Sequence, residues 1–160
     1  MQPRIETLAQ KKLIGKKLIM SIANNATFKL WQAFMPVRKE IKNKLSNDLF
    51  SIQVYPPTFN FKNFDITIEF TKWAAIEVSD FNEVSDNMES FILPGGLYAV
   101  FDYKGLSTNA KIFEYIFSTW IPNSNYVVDN RPHFELLGEK YKNNDPSSEE
   151  EIWIPIKTKA

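Results

Sequence analysis

An extended stretch, a helix and two strands occur twice in succession, and that repetition confines the chain to folds built from two like halves. The first pass runs through an extended stretch at 10–22, a helix at 27–43 and strands at 49–55 and 65–78. The second runs through 91–103, a turn at Gly105, a helix at 108–121 and strands at 133–137 and 151–157. An acidic, polar segment at 80–89 joins them, so one domain over 1–160 is expected, with halves of about 1–79 and 90–160. Sequence identity between the halves is slight, so the repeat rests on element order.

Periodicity supplies the helices. Leu30, Phe34, Val37 and Ile41 fall on one stripe, and Ile112, Phe113, Ile116, Phe117 and Trp120 on another, each an apolar face that requires a sheet beneath it. Ser107 or Thr108 is placed to cap the second helix, and Pro122 with 123–125 to end it. Pro36 should kink or split the first helix, because proline lacks an amide donor and crowds the preceding turn. Alternation supplies the strands: Ile66, Ile68 and Phe70 share one face, and Ile152, Ile154 and Ile156 another.

Composition excludes several functions. Nineteen basic and nineteen acidic residues cancel, which removes the electrostatic surplus that drives phosphate-backbone binding, so direct contact with nucleic acid is not expected. No cysteine and a single histidine leave no disulfide, no thiolate nucleophile and no multi-histidine metal site. Lys11, Lys12, Lys16 and Lys17 precede the apolar run 18–23 in the manner of a secretion signal, but Ser21 interrupts that run and Asn24 and Asn25 end it. A signal needs about 7 to 15 apolar residues, so a solvated edge strand in a cytoplasmic protein is the expectation, its lysines discouraging aggregation. No stretch approaches the roughly 20 apolar residues of a membrane span.

Glu135 is the residue that points to function. It lies in the apolar run 133–137, just after Arg131 and Pro132, where a carboxylate loses several kcal/mol of hydration unless something pairs with it. Either the protein satisfies it, through a tyrosine hydroxyl, Arg131 or strand amides, or it awaits a cationic ligand. Aromatic residues make up 14% of the chain, and Trp31, Tyr55, Trp73, Phe101, Tyr103 and Trp120 are the candidate walls of such a site. Alternation turns Phe101 and Tyr103 toward the helices and Trp153 away from them, and places Glu135 with His133 and Leu137. His133, beside Pro132 and without a second histidine, reads as a structural or surface residue. Gly95 and Gly96 follow Pro94 and read as a turn, not an anion nest. No catalytic triad, phosphate loop or metal cluster is present, and no cofactor is expected.

Four motifs occur in order: Leu93-Pro-Gly-Gly-Leu-Tyr-Ala-Val-Phe-Asp-Tyr-Lys-Gly105, Trp120-Ile-Pro122, Arg131-Pro-His-Phe-Glu135 and Ile152-Trp-Ile-Pro-Ile-Lys157. With Leu30-Trp31 and Glu40-Ile41 in the first helix, they resemble the GyrI-like, AraC-type effector-binding family over nearly the whole chain. The resemblance implies an α+β fold: an antiparallel sheet from two related halves, two main helices over one face, and a ligand groove near the pseudo-twofold axis. It further implies that Glu135 meets cationic aromatic ligands in that groove. Family members that regulate transcription carry a helix-turn-helix segment ahead of this domain, and 160 residues leave no room for one, so a stand-alone form is expected.

The function expected is binding of an amphipathic, cationic aromatic small molecule beside Glu135, without chemistry. Two alternatives stand beside it. A hydrolase of reactive genotoxic molecules would use Glu135 with a helper such as Glu69, Asp102 or Tyr103. A protein-interaction module of the gyrase-inhibitor type would engage a topoisomerase or a separately encoded regulator, with the polar segment 140–150 as docking surface or gate.

Overall fold

The computed structural model describes residues 1–160. Its strands are β1 (Arg4–Leu8), β2 (Lys11–Met20), β3 (Leu49–Val54), β4 (Phe70–Val78), β5 (Glu89–Leu93), β6 (Gly96–Lys104), β7 (Tyr126–Val128), β8 (His133–Leu137) and β9 (Glu149–Thr158). Helix α1 (Thr27–Val37) ends in a 3-10 turn, Arg38–Glu40. Helix α2 (Lys111–Tyr115) runs on through a π-helical stretch, Ile116–Trp120, into α3 (Ile121–Asn123). No helix is long and apolar enough to cross a membrane.

The strands pair antiparallel in the order β1-β6-β9-β8-β3-β4-β2-β5, with β7 beside the end of β9. Outward from the central β3–β8 pair the two sides match: β4, β2 and β5 on one, β9, β6 and β1 on the other. The outermost strands are exchanged. β1 leads into β2 but pairs with β6, and β5 leads into β6 but pairs with β2. Two-residue connections therefore join opposite ends of the order, and the sheet must curl until its ends meet. They do: Leu8 and Leu93 share one buried cluster, and a Cβ on Gly95 would lie 2.6 Å from the Leu8 carbonyl oxygen.

Three clusters fill the molecule. Ile14, Ala74, Ile76 and Val78 lie under α1 with Leu30 and Phe34. Ala99, Phe101, Tyr103, Ile152, Ile154 and Ile156 lie under α2 with Ile112, Ile116 and Phe117. On the opposite, helix-free face, enclosed by the curl, Phe50, Ile52, Trp73, Tyr98, Phe134 and Trp153 form an apolar core.

Several sequence expectations need correction. β4 begins at Phe70, not 65, because Asp65 draws the amide and hydroxyl of Thr67 into a local turn; Ile66 is consequently 52% exposed. The extended stretch 91–103 is two strands broken at Pro94 and Gly95, with Gly96 at φ 141°. The guanidinium of Arg131 occupies the space a side chain at Gly96 would need. Pro36 stands in the last turn of α1, which stops at Val37. The second helix starts at Lys111, whose amide donates to the Asn109 side chain, so Ser107 and Thr108 are not its cap. Strands β1 and β7 are additional. β2 is an edge only beyond Gly15, since Lys11 to Gly15 pair with β5.

Candidate functional site

The two helices cover the flanks of the sheet and leave its centre to β3 and β8, where the residues facing their side turn polar. Ser51 and Gln53 alternate with the core residues Phe50 and Ile52, while His133 and Glu135 alternate with Phe134 and Leu136. The register sets Ser51 opposite Glu135 and Gln53 opposite both His133 and Lys72. Lys72 shares its face with Ala74, and Glu150 shares its face with Ile152, the cross-strand partner of Glu135. Glu150 and Glu135 are thus diagonal neighbours, within reach of long side chains. Lys72, Gln53, Glu135 and Glu150 form a polar row, three of its members ionisable, across the floor between the helices.

Glu135 is half-buried and accepts one hydrogen bond, 3.2 Å from Gln53 Nε2. Burial raises its pKa, against the opposing pull of Lys72 and Gln53. No arginine clamps it: Arg131 is held by Asp129 at 2.6 Å and by the carbonyl oxygens of Leu97 at 2.6 Å and Ile156 at 3.1 Å. Burial lowers the pKa of Lys72 while Glu135 and Glu150 raise it, and the six ion pairs of the molecule all lie elsewhere. Glu150 is pushed up to about 7, first by burial and then by the Glu135 carboxylate. The floor therefore holds two acids and one base, none of them in a close ion pair.

A loop between β3 and β4 covers one end of this floor with phenylalanines. Phe61 stacks on the His133 ring at 4.8 Å and on Phe117 of the second helical stretch at 5.0 Å. Tyr55 contacts Phe59 at 4.5 Å and Phe61 at 5.2 Å, and Phe64 closes against Phe59 and Phe117. Beneath them, Tyr55, Phe59, Phe61, Asp129, Arg131 and His133 line a cavity of ≈ 130 Å³.

Of the candidates named from sequence, Glu135 lies on the floor. Tyr55 lies at its covered end, where burial and the Glu135 carboxylate both push its pKa up. Trp31 sits on α1, edge-on to Phe34 at 5.9 Å. Tyr103 faces the helices opposite Glu150, its hydroxyl donating to the Leu106 carbonyl oxygen at 2.8 Å. Phe101 is fully buried under α2 against Trp120, and Trp120 stacks on Tyr126 at the outer edge. Trp73 belongs to the opposite face, packed on Phe91 at 4.8 Å. Strand parity sends it there, because Ala74 and Ile76 take the helix side. Trp153 faces away from the helices, as alternation required, and His133 is buried.

Sequence reasoning passed over Gln53, Lys72, Glu150 and the phenylalanines of the cover. Lys72 carried a signal of the kind that singled out Glu135: a charge beside the apolar run 73–76 of a strand. Phe59, Phe61 and Phe64 crowd a turn-rich segment that has no strand or helix to bury them.

The family pattern of the GyrI-like small molecule binding domain matches residues 1–157. Comparison with curated proteins gives no match. Among solved structures, SAV2435 bound to tetraphenylphosphonium superposes with a TM-score of 0.69 at 20% identity, over 98% of this chain and 94% of that one. The EcmrR C-terminal domain gives 0.72 at 13% identity, over 99% and 98%. A hydrolase encoded by lin2189 from Listeria innocua gives 0.61 at 12% identity, over 98% and 92%. At these identities the likeness is one of fold.

Proposed function

This chain belongs to the GyrI-like small-molecule-binding family, and on that premise we propose that it takes up amphipathic, cationic aromatic molecules in the groove between its helices, with Glu135 as the anionic anchor. The observation that carries the reading is a half-buried carboxylate held by one amide hydrogen bond, on a floor edged by aromatic rings, without an arginine of its own. SAV2435, which shares this fold, is bound to tetraphenylphosphonium, a lipophilic aromatic cation. A monocation about 4 Å from Glu135 gains roughly 4 kcal/mol at an effective dielectric near 20. Each aromatic wall adds about 0.5 to 2 kcal/mol. Two or three walls with the acid reach the roughly 8 kcal/mol of micromolar binding.

The guest also needs room. Pockets for drug-sized ligands measure about 300 to 1,000 Å³, whereas the cavity beneath the cover holds ≈ 130 Å³, so a multi-ring cation enters by displacing Phe59, Phe61 and Phe64. Residues 56–69 lie in no strand or helix except turns, so that displacement breaks ring contacts but no strand ladder.

Glu135→Gln tests the reading. Titration with a rhodamine dye should show affinity for the cation falling about 10-fold or more, while a neutral analogue of similar shape is nearly unaffected. Equal losses for both would remove the charge from the account. A second reading, hydrolysis of a reactive small molecule, draws on Glu150 as a second acid beside Glu135; time-dependent product release, abolished in Glu150→Gln, would favour it over binding alone.

A further inference from the structure

His133 is the single histidine of the chain and only 4% exposed, yet its imidazole makes no hydrogen bond within the protein. Its ring is gripped by carbon: Phe61 stacks on one face at 4.8 Å and Tyr55 meets it edge-on at 5.0 Å. Neither ring nitrogen is sealed off, since no buried side-chain nitrogen or oxygen lacks a partner, and the residue lines the ≈ 130 Å³ cavity beneath the phenylalanine cover. The cavity's other charged groups are occupied with one another and with the main chain: Arg131 donates to Asp129 and to the carbonyl oxygens of Gly95, Leu97 and Ile156.

Burial, with Arg131 nearby, depresses the imidazole pKa to about 3, so the ring is neutral at physiological pH and offers one donor and one acceptor. A buried polar group of this kind is ordinarily hydrogen-bonded. Here the partner is whatever occupies the cavity, water or a polar group of a ligand. Glu135 stands two residues along the same strand on the same face, a spacing of about 7 Å.

We propose that the cavity between Tyr55, Phe61 and His133 is a second subsite of the ligand groove, taking a neutral hydrogen-bonding group, a hydroxyl on a single aromatic ring, carried about 7 Å from the cationic centre held by Glu135. The inference rests on the cation reading above and adds to it the class of ligand: an aromatic amine with a hydroxyl at the far end of its ring. A single-ring molecule of that length spans from Glu135, which lies beyond the cavity's lining, to His133 on its wall.

Tyramine and 2-phenylethylamine, both cations at neutral pH and differing by that one hydroxyl, are the probes. Calorimetric titration should show tyramine bound about 10-fold more tightly. In His133→Phe, which keeps an aromatic ring between Phe61 and Tyr55, the ratio should fall to about one. In protein labelled with ¹⁵N at histidine, the lone imidazole gives one pair of nitrogen resonances; tyramine should shift at least one of them well beyond any shift caused by 2-phenylethylamine. Equal affinities in the unsubstituted protein, a ratio that survives in His133→Phe, or imidazole resonances indifferent to tyramine would each overturn the subsite while leaving the cation site standing. Failure of both amines to bind would instead strike at Glu135 as anchor, and the subsite would fall with it. The resonance experiment uses the unsubstituted protein and decides the matter even if His133→Phe does not fold.

Discussion

The two faces of the central strands are made by neighbouring residues yet behave as different materials. On the helix-free face Phe50, Ile52 and Phe134 are at most 4% exposed, and the Phe134 ring stacks on Trp153 at 5.1 Å. One residue away on the same strands, Ser51, Gln53, His133 and Glu135 make a polar floor. The sealed face is closed by the curl of the sheet, so the apolar side chains at its centre find carbon. The other face is closed by α1, by α2 and, at one end, by the phenylalanine cover, and between the helices the sequence places polar groups. A single alternation of the backbone thus separates the part of the molecule that holds it together from the part that can receive something.

The contrast can be broken most severely at adjacent residues of β8. Phe134→Ala should cost about 3 to 5 kcal/mol of stability, the usual loss for a buried phenylalanine. Glu135→Leu, one residue further, should leave stability unchanged or raise it, because removing a half-buried carboxylate relieves its desolvation. Urea denaturation of both variants measures the difference, and comparable losses would show that the floor is structural like the face behind it.

A smaller effect is expected in the cover. Phe61→Ala removes the stack on His133 and Phe117, and association of a rhodamine dye, followed by stopped-flow fluorescence, should quicken several-fold at a stability cost of about 1 to 2 kcal/mol. An unchanged rate would mean that the cover does not limit entry.

The smallest effect is a pH dependence confined to the polar side. Glu150 in the folded protein holds its proton up to about 7, against an ordinary glutamate value of about 4.3. At this site the native state binds more protons than the unfolded chain between these values, so its contribution to stability declines as pH rises from about 4.3 to 7, whereas His133, held down to about 3, contributes in the opposite sense up to the ordinary imidazole value of about 6.5. Glu135, also raised, adds in the direction of Glu150, and Lys72 opposes both. Over the upper part of that window, affinity for a cation should rise about two- to threefold as Glu150 ionises. Glu150→Gln should remove both contributions, so the stability difference between this variant and the unsubstituted protein should change across about pH 4.3 to 7, and a difference independent of pH would contradict the assignment.

Much of this architecture was legible beforehand. The stripe from Ile112 to Trp120 and the alternation of Ile152, Ile154 and Ile156 mark the surfaces that pack together, because burial imposes its period on the chain. The bounds of β8 were readable for the same reason, and Glu135 stood out as a charge where the pattern asks for carbon. Local turn chemistry misled at 65–69, where the alternating Ile66 and Ile68 resemble a strand but Asp65 fixes a turn instead. Trp73 was misplaced because an aromatic residue in a strand declares that it is buried without declaring on which face.

By itself, then, the sequence determined which residues must leave water and with what period, and so the elements, their doubled order and the one anomalous acid. Only the tertiary structure decided that β1 and β5 change places, that Lys72, Gln53 and Glu150 converge on Glu135, and that Phe61 comes to rest on His133. Periodicity is a property of neighbours along the chain, whereas these juxtapositions join residues as distant as Arg4 and Val100, and it is the curl and register of the sheet that select them from the many partners the chain would allow.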